Sequence, residues 1–551
     1  MSMEPEKIGA VAKPVAEPLT DVEGAQAGSI AKATSVVGGV RVALIAAGAA
    51  WQWLSAPYLG STPVGNAFNW TNERVTQLFQ LWEKFLRPTV IPMFMQERRE
   101  HGDETAWRLA STLVNLLILL LAVLTALGIA FSSQVVGLLT DFNGEQRVLA
   151  VKMLRWMLLA VPFLSLSVMG YLMLNSYKRF GVAALGDLVF KVAMVAGLVA
   201  LLRFWGWPAL VLAMVCGGAL KFGMYVWGLR KEGTHYRPVL DLRSPAMKRF
   251  YVLVLPLLVG ALVALGRDYY EGFRRTGVEE GRAASLVRYA RMGVDLPIQV
   301  LMLPLGIAIF PFISEAAAKG KHRELFSGFF TICRGIFLVF VPMTVGMILL
   351  RTPLIHTLLE WGKFQASDTS LTSETLFYYA FGYVPFALEI VILQYFYARQ
   401  NTMIPTAAGV ATSTLNVLFL WAVIPYLGIG TFTLATVVTK TLKVIFLVML
   451  LKMLFHEELP WGSQLRRLGS GVLRVAVATA VMWLVMWGVD AGLDRVLNVA
   501  RRLDGIVYLG TITLAGAGSF LLMVVLLRVE EVWLAIGWIR NKLPRRFGGV
   551  R

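Results

Sequence analysis

Long uncharged apolar blocks are the feature that most narrows what this chain can fold into. The clearest runs from Leu109 to Phe131 without a charged residue. About 20 consecutive apolar residues, wound as a helix, cross the hydrocarbon of a bilayer. Similar blocks recur along the 551 residues, of which 57% are hydrophobic and 16% charged. A soluble domain carries about 25% charged residues, so this composition points to lipid as the solvent. Blocks of helix-spanning length predict an all-α polytopic membrane protein, because a backbone in lipid must satisfy its own hydrogen bonds. Spans are expected near 35–57, 66–93, 108–131, 149–174, 182–203, 207–229, 250–271, 284–312, 327–350, 374–398, 403–426, 430–454, 469–490 and 506–528, about fourteen in all.

The net charge of +18 would suit nucleic-acid binding if its cations formed a surface patch. They lie mainly between apolar blocks instead, which excludes that class and fits the positive-inside rule. Basic residues follow the even-numbered spans: Arg98-Arg99, Lys178-Arg179, Arg230-Lys231 through Lys248-Arg249, Lys319, Lys321 and Arg323, and Arg466-Arg467. Arg540, Lys542, Arg545 and Arg546 add to the C-terminal tail. Loops 57–65 and 425–430 are nearly uncharged, while those at Arg274-Arg275 and Arg501-Arg502 break the pattern. The balance predicts both termini in the cytoplasm of a multi-pass inner-membrane protein, with no signal peptide. Cys216 and Cys333 lie inside apolar runs and read as small buried hydrophobes.

A repeat sets the internal organisation. IPMFMQERREHGDETAWRL from Ile91 resembles FPFISEAAAKGKHRELFSG from Phe310, so that about 219 residues separate Pro92 from Pro311. LLTDFNGEQ at Leu138 and LLEWGKFQASD at Leu358 keep nearly the same offset, as do Tyr177 and Tyr397. Each copy crosses six spans in the same sense. They are therefore parallel repeats about an axis along the membrane normal, a pseudo-two-fold arrangement suited to alternating access. The expected division is a disordered cytoplasmic tail over 1–33, an N-terminal lobe over 34–230 (spans 1–6) and a C-terminal lobe over 231–455 (spans 7–12). A pair of spans over 456–530 and a basic cytoplasmic tail over 531–551 complete it.

Three stretches carry a family resemblance. They begin IPMFMQERREHGDETAWRLASTLVNL, LVRYARMGVDLPIQVLMLPLGIAIFPFISEAAAKG and FYYAFGYVPFALEIVILQYFYARQNTMIPTAAG, the last followed by STLNVLFLWAVIPYLGIGTFTLATVV. In order and spacing the chain resembles the MurJ (MviN) lipid II flippases of the MOP exporter superfamily over about residues 60–455. The resemblance implies movement of undecaprenyl-diphosphate-linked peptidoglycan precursor between leaflets, and a groove for the lipid tail built by spans 13 and 14. It implies as partners a polyprenyl-diphosphate-linked glycan, the bilayer and proteins of cell-wall synthesis. A diphosphate cannot cross hydrocarbon unaided, and arginines can replace its hydration with charge-assisted bonds.

Ionisable groups inside spans are candidate site residues by default. Arg288, Arg291 and Asp295 in span 8 follow i, i+3 and i+7 and share a helix face, which suits a diphosphate-binding arginine pair with an acid that tunes it. An internal Arg–Asp pair with a snorkelling end residue is the structural alternative. The family's cation stands one position later, where this chain has Met292. Span 2 offers Glu83 and Arg87 as an i, i+4 pair, with Lys84 in place of a family glycine. The family's upstream arginine pair is replaced by Leu78-Phe79-Gln80, and Arg74 lies further back. Span 1 offers only Arg41. Residues 46–52, where the family has an Arg-Asp pair, are uncharged, and Asn66 replaces an acid.

Glu271 of span 7 stands where some members of the family have an acid of a sodium site. With Asn416, Thr436 and Thr439 it forms a weak candidate ion-coupling set, incomplete because Leu420 follows one turn after Asn416. Membrane potential is the other coupling considered, and no bound cofactor or metal is expected. Asp187 and Lys191 of span 5 read as an i, i+4 structural pair, and Glu389 lies in span 10. Pro162, Pro297, Pro342 and Pro385 interrupt spans as kinks or hinges. No HExxH, GxSxG or P-loop occurs in a suitable context, and Glu279-Glu280 read as solvated charges, so an enzyme is not expected. The alternatives are an exporter of another polyprenyl-linked oligosaccharide, a transport-inactive scaffold for envelope assembly and, more distantly, a membrane glycosyltransferase.

Overall fold

A computed structural model describes residues 39–40, 43–177, 179–231, 236–319, 322–398, 401, 403–454, 460–493 and 502–533. The tail expected over 1–33, Arg41, and most of the basic tail expected over 531–551 lie outside these residues. Every secondary-structure element among them is helical. Helix α1 covers residues 43–59. It is followed by α2 (Pro63–Ala130), α3 (Ser132–Leu139), α4 (Gly144–Met157), α5 (Ala160–Ser176), α6 (Phe180–Ala196), α7 (Leu202–Trp205) and α8 (Pro208–Arg230). The second half contains α9 (Pro245–Thr276), α10 (Ala283–Ala318), α11 (His322–Leu359), α12 (Ala366–Ala380), α13 (Tyr383–Ala398), α14 (Met403–Leu427) and α15 (Thr431–Leu454). The last pair is α16 (Trp461–Leu493) and α17 (Arg502–Leu526).

Length and apolarity qualify seven of the described helices to cross a membrane, or ten when each of three bent pairs counts as one span. The sequence reading expects about fourteen, and merging accounts for part of the difference. Pro63–Ala130 holds both the second and third expected spans, and Met403–Met453 holds the eleventh and twelfth. The gap expected between spans 2 and 3, residues 94–107, shrinks to one non-helical residue, Gly102, with φ 84° and ψ 173°. A side chain is strained at that φ, so glycine sets the break. Arg98 and Asp103 form an ion pair across it.

Local chemistry explains the other punctuation. Thr62 caps α2 by accepting from the Gly65 amide at 3.1 Å, and Ser244 caps α9 by accepting from Met247 at 3.3 Å. Each is followed by proline at the first helical position, whose missing amide hydrogen costs nothing there. The bends fall where proline removes a ladder donor. α4 and α5 meet at 44° just before Pro162, α12 and α13 at 46° just before Pro385, and α9 bends by 40° between Leu255 and Leu257. The fourth and tenth expected spans are thus broken alike, at matching places in the two repeats. Pro342 instead sits within the continuous α11.

Two large apolar cores organise the bundle. One is built from residues 51–284 and the other mainly from 283–451. Met247 and Phe250 at the start of α9 belong to the first core, beyond the boundary expected at 230/231. The segment before α9 is strapped to α2 of the first lobe. Asn115 donates to the Val239 carbonyl at 2.9 Å, and Arg237 pairs with Glu104 at 2.8 Å. α16 and α17 share a smaller core of Met482, Met486, Tyr508 and Ile512, backed by Val345 and Leu349 of α11. Leu119, Leu127, Trp227, Leu255, Trp421, Trp487 and Leu514 are exposed, as lipid contact requires. Cys333 is buried as expected, whereas Cys216 is exposed, because it falls on the outer face of α8.

Candidate functional site

α2 of the first lobe meets α9 and α10 of the second, and the charges of these helices converge there. On α9, Asp268, Glu271 and Arg275 follow helical spacing and share a face. Arg275 donates through both terminal nitrogens to the Glu73 carboxylate of α2, at 2.9 and 3.3 Å. It also lies 3.4 Å from Glu271. Arg291 of α10 donates through Nη2 to Glu271 Oε1 at 2.6 Å, to the Phe432 carbonyl at 3.3 Å and to Thr436 Oγ1 at 3.3 Å. A chain of alternating charge, Glu73–Arg275–Glu271–Arg291, therefore ties α2 to α9, α10 and α15. Arg275 and Glu271 are each 4% exposed. At that depth the charges persist only because each faces its opposite.

Arg74 extends the cluster. It donates to Gln77 Oε1 at 2.8 Å and to the Asp268 carbonyl at 2.9 Å, lies 3.4 Å from Glu73, and stacks 4.9 Å from the Tyr269 ring centre. A Cβ on Gly272 would come within 1.9 Å of Arg74 Nη2, so the guanidinium packs flat against α9 only because residue 272 lacks a side chain.

The three span-8 candidates point to three different helices. Arg288 donates to Asn69 of α2 at 3.0 Å and has no ion-pair partner among the described residues. Arg291 goes to α9 and α15. Asp295 accepts from Tyr379 of α12 at 2.9 Å. The structural alternative of an Arg291–Asp295 pair is not formed. Tyr379 stands between them, its ring 5.7 Å below the Arg291 guanidinium and its hydroxyl on Asp295. Glu73, Arg275 and Tyr379 were missed by the sequence reading. Arg275 looked like part of a basic outer loop, and its signal was the i, i+4 spacing from Glu271.

Glu83 and Arg87 do pair, at 3.3 Å, with side chains 39% and 55% exposed. Arg87 also donates to Tyr171 at 3.4 Å. Thirteen residues of α2 place Arg87 roughly 20 Å from Arg74 at 1.5 Å rise per residue. The candidate substrate residues are therefore not one site. Arg74, Arg288, Arg291 and Asp295 line the inter-lobe seam, whereas Glu83 and Arg87 stand further along α2.

One other pairing corrects an expectation. Asp187 pairs with Lys221 of α8 at 2.7 Å rather than with Lys191 on its own helix. Lys191 lies within electrostatic reach of Arg288. Glu389 of span 10 is neutralised from another helix, with Lys440 and Lys443 of α15 at 3.0 and 2.8 Å. The tertiary neighbour wins in each case because it brings the opposite charge closer than the helix's own spacing does.

The four candidate ion-coupling residues do not surround one open point. Glu271 and Thr436 meet at the Arg291 nitrogen, while Asn416 donates to Thr439 at 3.4 Å. These oxygens do not fit a sodium ion while the Arg291 nitrogen lies among them.

Beyond the seam, one end of the bundle is stitched shut. Arg282 forms an ion pair with Asp368, donates to Ser61 at 3.2 Å, and Ser61 donates to Asp368 at 2.6 Å. The Lys363 amide donates to the Pro57 carbonyl at 2.8 Å, and the Asp141 amide to Thr276 Oγ1 at 2.8 Å. These contacts join first-lobe turns to second-lobe turns.

A helical membrane protein of two lobes meeting on a charged seam, closed across one end, has the architecture of an alternating-access transporter. Residues 55–497 match the family described as "Lipid II flippase MurJ", and the chain belongs to that family. It is 28% identical over 356 residues to the lipid II flippase MurJ of Burkholderia cenocepacia, covering 63% of this chain and 68% of that protein. It is 24% identical over 552 residues to the probable lipid II flippase MurJ of Rhizobium tropici, covering 94% and 97%. The fold resembles a solved lipid II flippase MurJ in an inward closed conformation, with TM-score 0.74, 18% identity and coverage of 90% and 98%. It also resembles an inward-facing multidrug resistance MATE transporter of the MOP superfamily, with TM-score 0.65, 14% identity and coverage of 75% and 94%.

Proposed function

We propose that this protein flips lipid II, the undecaprenyl-diphosphate-linked peptidoglycan precursor, across the bacterial inner membrane by alternating access. The observation that carries the reading is the family match over residues 55–497. The geometry supports it. Among the described residues Arg288 is a seam cation held by a neutral amide alone, so it can offer donors to a diphosphate. The half-exposed Arg87 is a second cation further along α2. By the loop charges, the stitched end faces the periplasm and both termini face the cytoplasm. The exposed apolar faces of α16 and α17, including Leu473, Leu484, Leu514 and Leu521, suit the prenyl chain. Proteins of cell-wall synthesis belong to the same reading as partners.

One observation favours an exporter of a different polyprenyl-linked oligosaccharide. Ala46, Ala49 and Ala50 of α1, in the stretch where the family has charges, line an apolar cavity of about 520 Å³ with Met292, Leu296 and Leu354. The deciding experiment depletes the resident flippase of a tractable bacterium and supplies this chain. Growth is expected with the intact protein and lost with Arg288→Ala. Failure of the intact, well-expressed protein to restore growth would favour the other substrate or a scaffold role.

A further inference from the structure

The surroundings of Arg291 Nη2 are those of a small cation. A carboxylate oxygen of Glu271 at 2.6 Å, a backbone carbonyl of Phe432 at 3.3 Å and a hydroxyl of Thr436 at 3.3 Å converge on this one nitrogen. Carboxylate, carbonyl and hydroxyl oxygens are the ligands that hard cations take from proteins. One turn beyond Thr436, Thr439 accepts from Asn416, whose own Oδ1 is buried with no donor. Glu271 and Asn416 are 4% and 2% exposed, so the cradle is shielded from bulk water. Arg275 faces Glu271 from the opposite side at 3.4 Å and is already engaged by Glu73.

We propose that Arg291 is a built-in cation. Its guanidinium takes the place that a free monovalent cation would otherwise occupy between Glu271, Phe432 and Thr436, so the tie between α9 and α15 forms without sodium. Because the charge is covalently part of α10, the tie also includes α10 and holds at any sodium concentration. A sodium ion entering the cradle would have to displace Nη2, which already holds the point where the three oxygens converge. The inference concerns cation binding alone and stands whichever lipid-linked glycan is carried.

The test uses purified full-length protein in detergent and compares thermal unfolding in sodium chloride with choline chloride at equal ionic strength. The unaltered protein is expected to unfold at the same temperature in both. Arg291→Ala is expected to unfold earlier in choline and to gain a saturable, sodium-specific upward shift, because binding to the folded state alone stabilises it. Arg291→Ala combined with Glu271→Gln is expected to lose that shift. Arg291→Gln, which keeps more of the packing, serves if the alanine variant does not fold. Sodium-specific stabilisation of the unaltered protein would overturn the proposal, as would a folded Arg291 variant with no sodium response.

Discussion

The seam at α9 and the exposed pair on α2 contain the same chemistry under opposite conditions. Glu271 and Arg275 are nearly inaccessible and each touches more than one opposite charge. Glu83 and Arg87 have the same i, i+4 spacing, yet their side chains are 39% and 55% exposed. Spacing alone does not separate a structural tie from a charge free to meet a ligand. Burial does, because a group removed from water must keep its protein partner, whereas a hydrated one can exchange it.

The contrast is broken most strongly at Arg275. Arg275→Ala removes the two charge-assisted bonds to Glu73, leaves it the longer Arg74 contact at 3.4 Å, and should cost on the order of 3 kcal/mol. Thermal or denaturant unfolding in detergent would measure it. A loss under about 1 kcal/mol would place Glu73 in a far wetter setting than the structure does. Next in size is Arg282→Ala, which strips the partner from Asp368, itself 1% exposed. Losing one charge-assisted bond costs about 1.5–3 kcal/mol. The effect is expected chiefly as an opening of the stitched end, read as faster thiol labelling of a cysteine placed at Ser61. Unchanged labelling would show that the other turn-to-turn contacts suffice.

Gly272→Ala probes shape instead of charge. A methyl placed 1.9 Å from Arg74 Nη2 must push the guanidinium off α9, with an expected cost of about 1–3 kcal/mol. Combining it with Arg74→Ala should recover most of that loss, which a double-mutant cycle would detect. The smallest stability effect belongs to Arg87→Ala, about 0.3–0.5 kcal/mol as for an exposed i, i+4 pair. Its value lies in the separation of readouts, since the growth rescue described above should fall while unfolding barely moves. Equal loss of both would make Arg87 a structural residue like Arg275.

Much of this was legible before any coordinates. Uncharged blocks such as Leu109–Phe131 fix helices in lipid because no other open structure satisfies the backbone there. The prolines at 162 and 385 mark two of the three bent spans, and the repeat anticipates that these two match. Glu271, Arg288 and Arg291 declare themselves by being charged within apolar runs. The sequence by itself determined these helices, their punctuation and the need for each intramembrane charge to find a partner.

Only the tertiary structure decided which partner. Asp187 bypasses Lys191 for Lys221 on another helix, Arg291 passes over Asp295 for Glu271, and Glu73 is met by Arg275 about 200 residues away. Helical periodicity acts over one or two turns and says which residues share a face. Which face meets which depends on how the two lobes pack, and a buried charge settles on the nearest opposite charge that packing supplies.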